Sequence, residues 1–268
     1  MQFPLIDVII PCYNAAQTLE RAVKSVLNQP HLGTLWLIDD ASTDQTLSLA
    51  QQFAAQYPEK INVEQMPRNS GVAKTRNWGA LQSAAEIIAF LDADDAYEPE
   101  ALTLASSVFH FRPEIQVLRL ALNPVGIAER YSAHPNFDFA WQHMRMTCGG
   151  NVVFRRAFFL ACGGFPQHQL FRELGGEDGA LGIATTQVCQ VGTLFNEPGV
   201  LHYCRDGMHA ERLLDAILFN KIPPDITDEK MNEAQAVTDK ICQQMRLGIV
   251  DKFVAVLPKT MPSGQNCC

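Results

Sequence analysis

Ile87-Ile88-Ala89-Phe90-Leu91 is an unbroken apolar run that ends in Asp92-Ala93-Asp94-Asp95. A strand with one wet face alternates polar and apolar residues. A strand covered on both faces need not, and the strands of parallel α/β sheets read as such runs. The acids then fall just past the carboxyl end of the strand, the edge where open α/β sheets bind ligands. Three carboxylates within four residues repel one another unless something positive lies between them. Mg²⁺ or Mn²⁺, held by one or two carboxylates and substrate phosphates, would serve. A solvated acidic turn ahead of the helix that starts near Pro99 accounts for the same residues equally well.

The preceding residues repeat the pattern. Leu5–Ile10 reads as a first strand stopped by Pro11, and Leu35–Ile38 as a second that ends in Asp39-Asp40. Asp39 reads as a strand-end carboxylate satisfied by local N–H groups. Asn14 with Gln17, and Ser42 with Gln45, have the spacing of helix-capping pairs. Leu19, Ala22, Val23 and Val26 recur at helical spacing, and the helix after Ser42 runs to about Gln56. Ile61–Glu64 is a weaker strand, followed by a turn at Asn69-Ser70-Gly71 and a helix from Val72 to Ser83 that carries Lys74 and Arg76. Alternation of this kind predicts an α/β fold: a mostly parallel sheet with helices on both faces.

Several function classes are excluded or disfavoured. The turn after the first strand, Pro11-Cys12-Tyr13-Asn14-Ala15, has no glycine, so neither a dinucleotide fingerprint nor a P-loop is present. A net charge of −8 argues against nucleic acid as a partner. The eight cysteines form no C-x-x-C pair, which suits free thiols in the cytosol. No basic-then-apolar leader opens the sequence, and no apolar run approaches the roughly 20 residues of a membrane span. The expectation is a cytoplasmic protein without a transmembrane segment, with peripheral membrane contact left open. Gln265 stands where a prenylation box needs cysteine, so Cys267-Cys268 reads as a frayed tail or a lipidation site.

Four segments, in order, carry a resemblance. They are Val8-Ile9-Ile10-Pro11-Cys12-Tyr13-Asn14, Ile38-Asp39-Asp40-Ala41-Ser42-Thr43-Asp44, Asn69 through Gly79, and Phe90-Leu91-Asp92-Ala93-Asp94-Asp95. Together they resemble family-2 glycosyltransferases of the GT-A fold over about residues 5 to 110. The resemblance implies an inverting transferase that takes a sugar from a nucleotide-diphosphate donor, UDP-sugar being commonest in the family. It implies donor contacts from Pro11, Tyr13, Asn14, Asp40, Lys74, Arg76, Asp92, Ala93 and Asp94. Asp40 would accept from the base. Asp92 would face the ribose, and Asp94, with Asp92 as a second candidate ligand, would hold the Mn²⁺ or Mg²⁺ that bridges the diphosphate. A non-catalytic nucleotide-sugar-binding or assembly subunit is the competing reading.

In the second half, Ala101–Phe111 reads as a helix and Ile115–Leu122 as a strand. Residues 123–147 read as an acceptor-side flap or as a loop and hairpin packed by Phe137, Phe139 and Trp141. Gly149–Phe154 reads as a strand and Arg155–Ala161 as a helix. Glu177-Asp178 stands at a helix start, where acids are favoured by the dipole. Family-2 enzymes carry a similar pair, which by resemblance makes Asp178 the general base and Glu177 an acceptor contact or helper. Here the pair continues Gly179-Ala180-Leu181-Gly182 rather than with bulky and aromatic residues, which leaves the acceptor open among saccharide, lipid, peptide and small molecule. His202 or His209 could complete a metal shell, and Arg205 and Arg212 could touch a diphosphate. The expected division is a catalytic domain over 1–206 (a nucleotide-sugar-binding half, 1–110, and an acceptor-side half, 111–206), a helical extension over 207–257 and a tail over 258–268. The stripe Met231, Ala234, Val237, Ile241 and Met245 on the last helix predicts packing against the body, with a homodimer contact or a membrane surface as the alternatives.

Overall fold

The computed structural model describes residues 3–256, apart from the side chains of His209 and of residues 248–256. The tail over 258–268, with Cys267-Cys268, lies outside the described residues. The first half runs β1 (Ile6–Cys12), α1 (Leu19–Leu27), β2 (Leu32–Asp39), α2 (Thr46–Gln56), β3 (Ile61–Gln65), α3 (Val72–Gln82), β4 (Ile87–Phe90), β5 (Ala96–Tyr97) and α4 (Ala101–Phe111). The second half runs β6 (Val117–Leu120), β7 (Leu122–Val125), α5 (Glu129–Ser132), α6 (Phe137–Thr147), β8 (Val152–Arg155), α7 (Arg156–Ala161), α8 (Gln169–Leu174), α9 (Glu177–Val188), β9 (Val191–Leu194), β10 (Val200–Tyr203), α10 (His209–Phe219) and α11 (Asp228–Val256).

A seven-stranded sheet has the order β3-β2-β1-β4-β8-β6-β9. The first four strands are parallel, β8 is antiparallel to both its neighbours, and β6 and β9 are parallel. A second sheet of three strands, β5-β10-β7, stands beside the acidic end of β4. Both faces of the large sheet are covered. Ile6, Val8 and Ile10 pack with α1, α4, α6 and α10, while Ile9, Ile38 and Phe90 pack with α3, α7, α9 and α11. This is why β1 and β4 need no polar face.

Five expectations need correction. The strand expected over Gly149–Phe154 starts only at Val152, after a 3-10 turn at Gly149–Asn151. β1 continues through Pro11 to Cys12. Ile9 O accepts from Leu91 N and Cys12 O from Asp40 N, so Pro11 faces the β4 side, where the β1–β4 ladder has already ended. The missing N–H therefore costs no ladder bond. The capping pairs do not form either. Asn14, at φ 50°, accepts from Thr43 N at 2.9 Å and its own N–H donates to Ser42 Oγ at 3.0 Å, so it laces the β1–α1 loop to the β2–α2 loop. The segment 115–122 splits at Ala121, whose carbonyl accepts from Val200 N, so that β6 stays in the large sheet and β7 joins the small one. Residues 123–147 hold helices α5 and α6 and no hairpin; Trp141 is buried with its indole N–H on Leu122 O.

Ile241 and Met245 of α11 are buried among residues of α9, with Ala234 and Val237 packed against the same core, and Met231 is exposed. The apolar stripe is thus used within the chain, as the packing alternative expected. No described helix is long and apolar enough to cross a membrane.

Gly79 marks the closest approach of α3 to the sheet: a Cβ there would lie 2.5 Å from Ile9 Cγ2 and 3.0 Å from Ile38 Cγ1. Overpacking at a rigid core contact costs about 1–3 kcal/mol, and the better helix propensity of alanine returns up to about 1 kcal/mol. Gly79→Ala is therefore expected to lower unfolding stability by about 1–2 kcal/mol in urea titration. Unchanged stability would mean that α3 can lift off β1.

Candidate active site

The acids after β4 each find a different positive or donor partner. Asp92 Oδ1 accepts from Arg76 Nη2 at 2.5 Å. Asp94 Oδ2 is 3.3 Å from Arg205 Nη2, and its backbone carbonyl accepts from Arg21, whose guanidinium lies 3.5 Å over the Tyr203 ring. Asp95 is fully buried; it holds His202 Nδ1 at 2.8 Å and accepts from Tyr203 N at 3.0 Å. The solvated-turn alternative therefore fails for Asp95, which ties the small sheet to the end of β4.

Arg76 gathers the rest. It reaches down from α3 with 4 % of its side chain exposed and bridges Asp92 to Glu177, its Nη1 lying 3.2 Å from Glu177 Oε1. Burial acts to lower its pKa, but the charges of Asp92, Glu177 and Asp178 outweigh this and hold it above the ordinary arginine value. Burial pushes the Glu177 carboxyl up to about 7, the Asp178 charge adds to the rise, and Arg76 opposes it.

Asp178 opens α9 beside Glu177, after Gly175 and Gly176, both at positive φ. Its Oδ2 accepts from Gly149 N at 3.0 Å and its Oδ1 from Gly179 N at 2.8 Å. Each oxygen keeps a lone pair, so the carboxylate is held in place and can still take a proton. Gly149 and Gly150 are needed for the approach. A Cβ on Gly149 would meet Arg76 Nη1 at 2.6 Å, and one on Gly150 would meet Asp92 Oδ2 at 2.8 Å. Beneath them Arg119 is buried; burial pulls its pKa down to about 10. Its Nη1 donates to Cys148 O at 2.5 Å and to Asn151 Oδ1 at 3.3 Å. Sequence reasoning missed both features. The signals were the Gly149-Gly150 doublet and a lone arginine inside the apolar strand Val117-Leu118-Arg119-Leu120.

On the other flank, Tyr13 is exposed at the end of β1, above buried Pro11. Asp40 is 3 % exposed; its oxygens accept from Ser70 N at 2.7 Å and Gly71 N at 2.8 Å, so it anchors the loop that starts α3. Asp39 Oδ2 accepts from Ser42 N, but its Oδ1 is buried without a partner, so local N–H groups satisfy only half of this strand-end carboxylate. Ala93 is buried between the two acids. Lys74 is exposed on α3 and lines a pocket with Arg172 and Glu177.

Among the described residues no three His, Cys, Asp or Glu side chains form a cluster that could hold a metal by themselves. One observation fits a cation completed by phosphate oxygens. His202 Nε2 is buried without a partner, while Nδ1 is fixed by Asp95, the arrangement common for a metal-bound imidazole. Burial opposes protonation of His202, but Asp95, Asp92 and Asp94 raise its pKa, which places it within their field. The side chain of His209 lies outside the described residues.

A family model described as glycosyl transferase family 2 matches residues 7–161, more than half of the chain. The chain belongs to glycosyl transferase family 2. The putative teichuronic acid biosynthesis glycosyltransferase TuaG of Bacillus subtilis is 39 % identical over 100 residues, covering 37 % of this chain and 39 % of TuaG. The chondroitin synthase of Escherichia coli is 34 % identical over 107 residues, 40 % of this chain and 15 % of that one. The match thus spans well under half the length of either relative. S. aureus TarS 1–349 in complex with UDP superposes with a TM-score of 0.59 at 21 % identity, over 90 % of this chain and 70 % of that one. The mannosyltransferase PcManGT of Pyrobaculum calidifontis, in complex with GDP-Man and Mn²⁺, gives 0.60 at 20 % identity, over 96 % and 78 %. At such identities the likeness is one of fold, and the fold is GT-A.

The raised Glu177 pKa has a consequence for this family-2 chain. Between the unfolded value of 4.5 and about 7 the folded state holds more protons than the unfolded one. Stability must then fall as pH rises through that window. Glu177→Gln removes this contribution, so thermal unfolding of wild type should lose on the order of 1–3 kcal/mol relative to the variant between pH 5 and 7.5. Parallel pH profiles would show that Arg76 keeps Glu177 ionised throughout.

Proposed function

We propose that this chain transfers a sugar from a nucleotide-diphosphate donor, of the UDP-sugar class, to an acceptor hydroxyl with inversion. The observation that carries the reading is Asp178. Its carboxylate is fixed by two backbone N–H groups and stands beside the Arg76 bridge that leads to Asp92.

In this reading the donor lies along the carboxyl ends of β1, β2 and β4. Tyr13 offers an exposed ring to the base beside Pro11 and Asn14, and Asp40 accepts from the base with the lone pairs its backbone partners leave. Asp92 faces the ribose, its direction set by Arg76. Ala93 spaces Asp92 from Asp94. Asp94 would hold Mn²⁺ or Mg²⁺, with His202 Nε2 as a further ligand and diphosphate oxygens completing the shell. The ion would neutralise charge on the leaving diphosphate. Its presence in the PcManGT complex and the orphaned His202 nitrogen support that assignment.

Displacement forms a bond from the acceptor oxygen to the anomeric carbon as the bond to the diphosphate breaks. The acceptor proton goes to Asp178. Glu177, bound to Arg76, keeps that guanidinium in place and lines the acceptor side.

Calorimetric titration with UDP and GDP, each with and without Mn²⁺, tests the donor half. Micromolar, metal-dependent binding of UDP is expected, with about tenfold weaker binding of GDP, and Asp94→Ala should lose at least tenfold in the metal-dependent part. Binding of neither nucleotide, or UDP affinity untouched by Asp94→Ala, would refute it.

A further inference from the structure

The start of α3 borders a pocket of about 180 Å³. Its walls are the β3–α3 loop, the start of α3, and the 166–172 segment leading into α8. Three cationic side chains, Arg68, Lys74 and Arg172, line it from these separate segments, beside His168, whose Nδ1 accepts from Leu170 N. Glu177 is the one acid in the lining, and it is already paired with Arg76. Arg68 and Lys74 have no ion-pair partner among the described residues, and His168 is 3.7 Å from Glu233 of α11. In a chain of net charge −8 this is a concentrated positive site.

The pocket is also built rather than incidental. Arg172 lies across it, its Nη2 donating to Asn69 O at 3.1 Å, which leaves its other N–H groups for a ligand. Gly71, at φ 89°, sits beside the Arg172 stem, where a Cβ would make an ordinary contact 3.9 Å from Cγ. The opposite wall is fixed to α3 by a reciprocal pair: Asn77 Nδ2 donates to Phe165 O and Phe165 N donates to Asn77 Oδ1, both at 2.8 Å. Gly164, at φ 72°, sits hard against that Asn77 amide.

Its position relative to the chemistry follows from contacts in series. The pocket touches Glu177, Glu177 touches Arg76, and Arg76 touches Asp92. The strand-end acids therefore lie beyond the Arg76–Glu177 pair, while Asp178 is the next residue along α9. Asp40 takes the Ser70 and Gly71 N–H groups, so that loop gives its backbone donors to the sheet and its Arg68 and Lys74 side chains to the pocket.

We infer that this pocket receives an anionic group of the acceptor, a phosphate or a carboxylate, and so positions a neighbouring hydroxyl at Asp178. Paired arginines and a lysine around a small pocket are suited to such groups, arginine through its forked donors. Lys74 then serves the acceptor rather than the nucleotide. The inference rests on the transferase reading for the hydroxyl, and on the pocket alone for the anion.

The test is calorimetric titration of the whole protein, free and saturated with UDP and Mn²⁺, with three probes: sn-glycerol 3-phosphate, methyl glucuronide and neutral methyl glucoside. Millimolar saturable binding of the phosphate or the carboxylate probe is expected, weakened by salt, with no binding of the glucoside and no displacement by UDP. The probe that binds identifies the anion. Arg172→Gln and Lys74→Gln should each weaken it at least about tenfold. Equal binding of the glucoside, displacement by UDP, or variants that bind like wild type would overturn the inference. UDP binding without anion binding also overturns it and leaves the transferase reading intact. Anion binding without UDP binding keeps the pocket and defeats that reading.

Discussion

Three carboxylates within four residues, at the end of a strand buried on both faces, have to be separated electrostatically before the chain can close around them. The protein does this by giving each a different partner from a different part of the sequence. Arg76 comes from α3, Arg205 from the segment after β10, and His202 from β10 itself. The demand is local in sequence and its solution is long-range. It draws α3, the small sheet and, through Glu177, the start of α9 to one edge of the large sheet. The candidate site is the place where these partners meet.

Arg76 matters most in that arrangement because it is buried and shared. A lysine could neutralise one acid, but a guanidinium presents two donors in a fixed fork and so holds two carboxylates apart at a set distance. The glycines at 149 and 150 and the buried Arg119 are consequences of the same crowding. Side chains at 149 or 150 would collide with Arg76 and Asp92, and the carbonyl of Cys148 needs a donor where no water reaches. Once the turn at 148–151 is fixed, its Gly149 N–H fixes Asp178.

The first half of the fold was legible because its signals are local. Apolar runs mark β1, β2 and β4, and the helical spacing of Leu19, Ala22, Val23 and Val26 marks α1, all four of which are buried. The caps were misread for a physical reason: Asn14 and Ser42 have the right spacing to cap their own helices, but each is engaged by the other's loop. The split at Ala121 and the helices in 123–147 were illegible because a second sheet, defined by β5 and β10, decides them. Within the site, the motifs pointed to Asp92, Asp94, Glu177 and Asp178 and to Arg76. What the sequence could not say was which carboxylate pairs with which cation, or that Lys74 lines a pocket while Arg76, two residues away, is buried between Asp92 and Glu177.

In the proposed transferase, the donor site at the strand ends and the proton acceptor on the other side of the Arg76 bridge are two separable functions. Asp178→Asn separates them most directly. UDP affinity and UDP release from UDP-sugar should be measured on the same preparation. The account predicts UDP binding within about twofold of wild type and turnover reduced by at least about a hundredfold, the scale of general-base catalysis. Turnover that survives the substitution would contradict it, and would remove Asp178 from the chemistry.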